Sequence, residues 1–235
     1  MSFRTVKDYF GIADGTTILV TSSDENKSAT LVQAKDEKGD VVAQEMLDEQ
    51  MAPSCNYVFK ADATINSIKI GYAVSGDNSK FFTTNQLTIN TGAGTAPTMS
   101  ASGQEVPSQD HTDCYYEGPS GTIKMCHHAQ LLFGLDSNVT MPTGCYLTTA
   151  NYTIGGSLTT ATKDGKVVSY DISDGKVTAS LTFVSVDGTA KPTISAGTLP
   201  TDWTITTPLT LSEPDADYPT YTCEISKCLV HHKAA

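Results

Sequence analysis

The feature that most constrains the fold of this chain is a long internal match within its sequence. Residues 18–36 align with residues 146–164 without a gap, so that Lys35 falls on Lys163 and the aspartates that follow them also coincide. In both stretches a short turn comes next and leads into a Val-Val pair. Because a long repeat usually marks a repeated structural unit, the match predicts an internal duplication.

The ends of the two halves also resemble each other. Residues 114–130 and 223–235 each contain a lysine, a cysteine and a His-His pair in the same order. The identity is low, and the alternative is that common strand residues align by chance. The shared order of elements favours duplication, so we predict two similar tandem domains, residues 1–134 and 135–235. Turn residues between Gly134 and Gly144 mark the boundary.

Composition indicates an all-β fold. Hydrophobic residues make up 39% and charged residues 17% of the 235 residues, which is typical of a globular chain. Thr, Ser, Gly and Val are abundant, and these residues favour strands and turns over helices. We therefore predict a β-sandwich or partial barrel with at most a minor helix in each domain.

The formal net charge of −11 bears on the partners of the chain. A surface this acidic repels phosphate, so a protein that reads nucleic-acid sequence is disfavoured. DNA as a passing cargo remains compatible, because a conduit should not hold the strand that moves through it. The start of the chain does not resemble a secretion signal, and no apolar stretch approaches 18 residues, so we expect no membrane partner.

Local patterns predict individual elements. Residues 177, 179, 181 and 183 are apolar and share one face of a strand, and residues 65–74 alternate in the same way. Turn residues predict hairpins at 36–39, 163–166 and 173–176. The only tryptophan, Trp203, lies in a Thr-rich strand and is expected in the core.

Helical structure is expected to contribute little. Residues 3–10 fit a short helix or an arm, and residues 123–133 fit a buried strand or a short helix. Residues 44–50 and 125–133 are the regions where a minor helix of each domain would lie.

A set of cysteines and histidines is the strongest candidate for a chemical site, because thiolates and imidazoles are the ligands that zinc prefers. The set consists of Cys114, Cys126, His127, His128, Cys223, Cys228, His231 and His232. Its spacing is loose, and adjacent histidines on a strand point to opposite faces. The alternatives are strand ends with one ring packed inward, or a contact between subunits.

Other motifs carry less chemistry. Asp215 and Asp217 could contribute to a calcium site, but the twelve-residue loop pattern is missing. No nucleophile elbow or phosphate-binding loop is present. We therefore predict no catalytic, cofactor or metal residues, a protein that is not an enzyme, and six cysteines that are mostly reduced thiols.

The two hairpins that carry the repeat, QAKDEKGDVVAQE and TATKDGKVVSYD, complete a recognisable pattern. Together with the acidic charge and the Ser/Thr/Gly-rich strands, they resemble the tail tube proteins of long-tailed bacteriophages. The resemblance is one of pattern over residues 16–230 and includes no diagnostic motif. It implies a virion protein located in the tail, made in the host cytoplasm during assembly.

In that family each tube domain is a small β-sandwich or partial barrel whose inner sheet joins its neighbours in a ring. The rings stack, and DNA passes through them to be ejected. The duplication resembles members with two tube domains in one subunit, in which three chains form a ring with pseudo-sixfold symmetry. The resemblance therefore implies contacts with further copies of the chain and with other tail proteins. Residues 78–84 and 187–200 would be loops that contact the next ring.

Two other classes of function fit the sequence. A two-domain binding module, such as an adhesin or a carbohydrate-binding protein, would also explain a repeated β-domain. A different phage structural subunit, such as a head-decoration or baseplate protein, would explain the absence of a tube-specific helix. A zinc-dependent protein would require the cysteine and histidine set to assemble in space.

Overall fold

A computed structural model of the chain describes residues 6–66, 68–75, 80–107, 114–164, 166–195, 199–200, 202–213 and 218–232, with the backbone alone at Leu47, Asp48 and Glu213. The described residues are nearly all β, as the composition predicted, and the pairings between strands are antiparallel. The strands in chain order are β1 (Ile18–Lys35), β2 (Val41–Phe59), β3 (Ala63–Ile65), β4 (Lys69–Ile70), β5 (Ala73–Ser75), β6 (Phe81–Gly92), β7 (Thr95–Val106), β8 (Tyr115–Glu117), β9 (Gly121–Ile123), β10 (Cys145–Lys163), β11 (Lys166–Ser185), β12 (Trp203–Glu213), β13 (Thr220–Cys228) and β14 (Val230–His232). A single turn of 3-10 helix covers Leu135–Ser137.

One large sheet dominates the structure and runs through both halves of the sequence. Its strand order is β1-β2-β7-β6-β10-β11-β13-β12, and β5 adds a short pairing to β6. We call β1, β2, β7 and β6 the first quartet, and β10, β11, β13 and β12 the second quartet. Each quartet consists of a long hairpin followed by a shorter one, and the two hairpins pair through their second strands. The two quartets therefore have the same strand order.

The long hairpins also share their irregularities. The register of β1 on β2 shifts between Val20 and Ser22, between Ser28 and Thr30, and between Ala34 and Lys35. The register of β10 on β11 shifts three times as well, and each shift lies 127 residues after its counterpart in β1. The sequence alignment pairs residues that are 128 positions apart, whereas the bulges pair residues that are 127 positions apart. The sequence alignment is therefore shifted by one residue from the structural equivalence.

A hydroxyl group marks the first of these β-bulges in both hairpins. The Thr21 hydroxyl donates to the backbone carbonyl of Asn56 at 3.1 Å, and the Thr148 hydroxyl donates to the carbonyl of Thr182 at 3.0 Å. Each bulge leaves one residue unpaired in the ladder, and the threonine side chain satisfies a carbonyl of the opposite strand there. The equivalence of Thr21 and Thr148 fixes how the two hairpins superpose.

The core lies on one face of the large sheet. Alternate residues of β11 on that face, from Val177 to Phe183, are fully buried, and Trp203 is only 4% exposed, so both of these predictions are confirmed. A second layer covers the face and contains the N-terminal segment, the small sheets β3-β9 and β14-β8-β4, and residues 131–139. The arrangement of layers fits a sandwich.

Several local predictions are wrong because non-local pairing overrides a local pattern. Residues 65–74 do not form one strand: they divide among β3, β4 and β5, and Gly71 takes a positive φ of 91° between the last two. Residues 173–176 do not form a hairpin either. They lie inside β11, where Asp174 has a φ of 56° and forms part of the second bulge.

The expected helices are also absent from the described residues. Residues 44–50 belong to β2, and residues 124–133 are irregular after β9 ends at Ile123. Of the segment 3–10, the part that the structure describes is a non-helical arm in which Asp8 accepts backbone N–H groups of the following turn. Residues 3–5 lie outside the described residues.

The sequence match between residues 114–130 and residues 223–235 does not correspond to equivalent positions in the structure. Cys223 lies in β13, which occupies the place that β7 has in the first quartet. Cys114, by contrast, lies after β7 and directly before β8 of the second layer. The shared order of cysteine and histidine residues in the two segments therefore does not reflect equivalent positions in the two quartets.

Candidate functional site

The two outer strands of the large sheet are long, and they are the first candidate for a functional surface. In the described part of the chain, β1 pairs only with β2, and β12 pairs only with β13. We call β1 and β12 the outer edges. Unpaired backbone N–H and C=O groups on a long edge form a template for pairing with another strand. Nearly all side chains of both edges are exposed beyond the first residues.

The pairing of β6 with β10, which we call the internal seam, shows how one quartet meets the next. Seven consecutive pairs join the strands without a bulge, from Gln86 opposite Gly155 to Gly92 opposite Thr149. Apolar side chains on the core side of the seam, such as Ile89 and Tyr152, are fully buried. The seam joins the last strand of the first quartet to the first strand of the second, which are the same two positions that the outer edges occupy.

A segment of the second layer locks the seam from the core side. The backbone N–H of Gln130 donates to the Thr91 hydroxyl at 3.0 Å, on β6. The Tyr152 hydroxyl, on β10, accepts the N–H of Leu132 at 2.9 Å and donates to the carbonyl of Gln130 at 2.8 Å. Burial raises the pKa of Tyr152 well above its ordinary range, so the hydroxyl stays protonated and keeps both bonds.

The face of the large sheet that points away from the core is polar and carries few charges. We call it the polar face. Its side chains are mostly Ser, Thr, Asn and Gln, as alternation with the buried residues shows in every strand of the two quartets. Among the described residues of this face, the charged side chains are Asp24, Lys176 and Glu224 near the middle of the sheet, and alternation adds Glu45 and Asp171 in the distal parts of the long hairpins. The described part of this chain, whose net charge is −11, thus has most of its charged side chains elsewhere.

The distal parts of the two long hairpins differ in burial. We call residues 30–47 the first arm and residues 157–173 the second arm. In the second arm, Leu158 pairs with Ile172; Ile172 is buried in the hydrophobic core, and Leu158 is half-buried against it. The equivalent pair of the first arm, Leu31 and Met46, is 51% and 59% exposed. Equivalent apolar pairs are therefore packed against the core in the second arm and exposed to solvent in the first arm.

The cysteine and histidine set does not assemble into one centre. The Cys114 Sγ lies 3.6 Å from Nε2 of His231 and 3.5 Å from Oδ1 of Asp171. Cys223 is buried in the core, whereas Cys228 is exposed. Within the described residues no three His, Cys, Asp or Glu side chains are placed to hold a metal ion. Asp215 and Asp217, the calcium candidates, lie outside the described residues.

The histidines of β14 are instead part of an aromatic stack. His231 and His232 lie opposite Tyr116 and Tyr115 of β8, and their rings stack at 4.5 and 4.8 Å between centroids. His232 also bonds Glu117 at 2.8 Å. Neighbouring histidines therefore engage different tyrosines, as their alternation on a strand predicts. The stack fastens the C-terminal strand to the second layer.

The thiols differ in environment. The six cysteines form no disulfide in the structure, which places Cys55, Cys145 and Cys223 in buried positions. Burial raises the pKa of each of these three thiols, and that of Cys223 rises to about 11. They stay protonated at neutral pH, where the thiolate is the reactive form.

Comparisons with known proteins give no identification. A scan of the sequence against protein-family models finds no match, and a search of curated proteins finds none either. Among the described residues, no helix has both the length and the apolar character needed to cross a membrane. The functional interpretation therefore depends on the sheet, its edges and its faces.

Sequence reasoning missed the surfaces that the structure makes most prominent. The outer edges could not be found from the sequence, because strand order depends on non-local pairing. Residues 81–84, expected as a loop for ring contacts, lie in β6, while residues 76–79 are outside the described residues. The two arms were visible as the repeated hairpins, but the difference in burial between them depends on the fold.

Proposed function

We propose that this chain is a structural subunit of a bacteriophage tail tube and that its copies join edge to edge in rings. The observation that carries the proposal is the internal seam. Two quartets with the same strand order, whose long hairpins share their bulges, meet through β6 and β10, and the outer edges, which pair with no further strand among the described residues, repeat those two positions. The outer edges of one copy are thus the same two strand positions that pair in the internal seam. This supports head-to-tail association of copies, which closes into a ring when the rotation permits.

The stagger between quartets supports closure. A row of paired residues that begins at Ser22 passes through Asn56, Ser100 and Thr88 and reaches Thr153 across the seam. The equivalent row of the second quartet begins at Thr149, so each quartet of four strands advances the register by four residues. A sheet that repeats this step has a shear equal to its strand number, as in eight-stranded barrels with shear 8 and a tilt of about 36°.

Three copies would give a wall wide enough for a DNA duplex. Each copy supplies the eight strands of its two quartets to the wall, so a ring of three contains 24. With strands about 4.8 Å apart and tilted by about 36°, the wall measures about 45 Å across. Two similar quartets in each chain give such a ring pseudo-sixfold symmetry, and the duplication of the tube domain is part of this proposal.

The polar face suits the inner wall of this tube. The second layer covers the other face of the sheet, so the polar face is the one that a closed wall would turn to the lumen. Hydroxyl and amide side chains are hydrated, and the few charges neither bind phosphate strongly nor repel it strongly. DNA would pass as cargo and not as a bound ligand.

The first arm supports contacts between subunits. An isolated two-stranded hairpin is marginally stable in water, and the exposed pair Leu31 and Met46 adds apolar surface that the equivalent pair of the second arm buries. In a ring the first arm of one copy lies next to the second quartet of its neighbour, where this surface would be covered. The role is structural and places the protein in the virion tail, with other tail proteins as further partners.

Electron microscopy and mass measurement of the purified protein test the proposal. We expect rings or tubes whose smallest closed unit has three times the chain mass of 24.9 kDa, about 75 kDa. The variant Leu211→Asp, at a 47% exposed position of the β12 edge, should abolish rings because it places a charge in the joint. Val230→Asp, at a 62% exposed position of β14 outside the large sheet, should leave them intact. Monomers alone at high concentration and in every salt condition would refute the proposal.

A further inference from the structure

The internal seam fixes which residues of the two outer edges can meet, provided that copies join edge to edge as proposed above. Each outer edge has an equivalent strand in the seam, β10 for β1 and β6 for β12. For β1 the equivalence follows from the bulges, which place each residue of β10 127 positions after its counterpart. Asn26 is therefore equivalent to Thr153.

The equivalence for β12 follows from rows of paired residues. In the first quartet, Asn56, whose carbonyl accepts from the bulge threonine, pairs with Ser100, and Ser100 pairs with Thr88 of β6. In the second quartet the carbonyl acceptor is Thr182, which pairs with Thr222 of β13. Thr222 pairs in turn with Thr210 of β12, so Thr210 has the place of Thr88.

Thr88 and Thr153 lie opposite each other in the seam. We propose that Thr210 of one copy lies opposite Asn26 of the next copy, in an antiparallel pairing of β12 with β1 that repeats the register of the seam. The neighbouring rows then bring Thr207 opposite Ser28 on one side and, because the register of β12 on β13 shifts between Leu211 and Glu213, Glu213 opposite Asp24 on the other. This register keeps the four-residue stagger constant around the ring, which a symmetric wall requires.

The side chains at the joint are compatible with this register. Leu211 has the place of Ile89, which is fully buried in the seam, and it is 47% exposed in the free edge. It comes to lie opposite Glu25, whose carboxylate already accepts the Tyr9 hydroxyl and lies 3.4 Å from the ammonium group of Lys27. The carboxylate is therefore compensated within its own chain, and Leu211 can cover the stem of its side chain.

Disulfide trapping between copies tests the register. The parent variant replaces the three accessible cysteines, Cys114, Cys126 and Cys228, by serine. The test variant adds Asn26→Cys and Thr210→Cys, both at exposed positions. Directly opposite residues of antiparallel strands have Cα atoms about 4.5–5.5 Å apart, within the range that a disulfide spans.

The matched control combines Asn26→Cys with Ser212→Cys, a pair shifted by two residues. Diagonal neighbours lie about 7–8 Å apart, beyond the reach of an unstrained disulfide. After mild oxidation we expect the test variant to form covalent dimers and trimers on a non-reducing gel, whereas the control stays a single chain. Each single-cysteine variant should give no trimer.

The outcomes separate the register from ring formation. Rings in the parent, with cross-links in the shifted control or in neither variant, would overturn the register and leave the tube proposal standing. A parent that forms no rings, with no cross-link in the test variant, would overturn both. Cross-linked trimers of the test variant alone support both.

Discussion

Removal of the Tyr152 hydroxyl tests whether the second layer locks the internal seam. In the variant Tyr152→Phe the ring can keep its place, but the N–H of Leu132 and the carbonyl of Gln130 lose their partner. Leu132 is buried and Gln130 is half-buried, so water replaces the hydroxyl poorly at the N–H of Leu132. A buried polar group left without a hydrogen bond costs about 1–3 kcal/mol. For a chain of this length, each kcal/mol lowers the melting temperature by about 2–4 °C.

Urea unfolding measures this effect, because the only tryptophan, Trp203, lies in the core and reports on the sheet. The matched control is Tyr146→Phe, which removes a hydroxyl from a 56% exposed ring on the same strand. We expect the control to change the free energy of unfolding by less than about 0.5 kcal/mol. A loss at Tyr152 no larger than that of the control would refute the role of the hydroxyl.

Two further predictions concern the second layer and the thiols. The variant Gly175→Ala should lower the free energy of unfolding by about 1–3 kcal/mol in thermal or urea unfolding, because a Cβ there would clash with the Tyr116 ring. An unchanged stability, equal to that of the exposed neighbour variant Lys176→Ala, would contradict this packing. A thiol reagent at neutral pH should label Cys228 rapidly and Cys223 only after unfolding, because burial raises the pKa of the Cys223 thiol to about 11; equal labelling rates in a mass-spectrometric assay would show that β13 is not buried as described.

The sequence was sufficient for those features that depend on local alternation. The apolar residues from 177 to 183 predicted a strand with one buried face, and that face is fully buried. The turn residues at 36–39 also predicted their hairpin correctly, since Asp36 accepts the N–H groups of Lys38 and Asp40. In both cases the residues that make the structure are neighbours in the sequence.

The same turn residues led to a wrong prediction at 173–176, where they form a bulge and not a hairpin. Asp174 and Gly175 carry the signature of a hairpin, yet β11 continues through them and bends. A bulge and a tight turn both place a residue in the left-handed backbone region, so the amino-acid types alone do not distinguish the two structures. The strand that lies opposite decides, and that strand is distant in sequence.

The sequence match between the two long hairpins is one residue out of their structural register. Its letters were anchored on Lys35 and Lys163, which lie next to turns of different length. The structural equivalence of the two hairpins is defined by the bulges at Thr21 and Thr148. A bulge of this kind has no residue pattern that a sequence alignment would recognise. The outer edges and the polar face follow from strand order, which requires pairing information that local pattern lacks.

The most direct test of edge-to-edge assembly is a cryo-electron microscopy reconstruction of the rings at a resolution that separates strands. We predict three copies around a continuous wall of 24 strands, with β12 of each copy paired antiparallel to β1 of the next and the polar face towards the lumen. A ring in which β1 and β12 remain unpaired, or in which the polar face points outward, would contradict the proposed assembly.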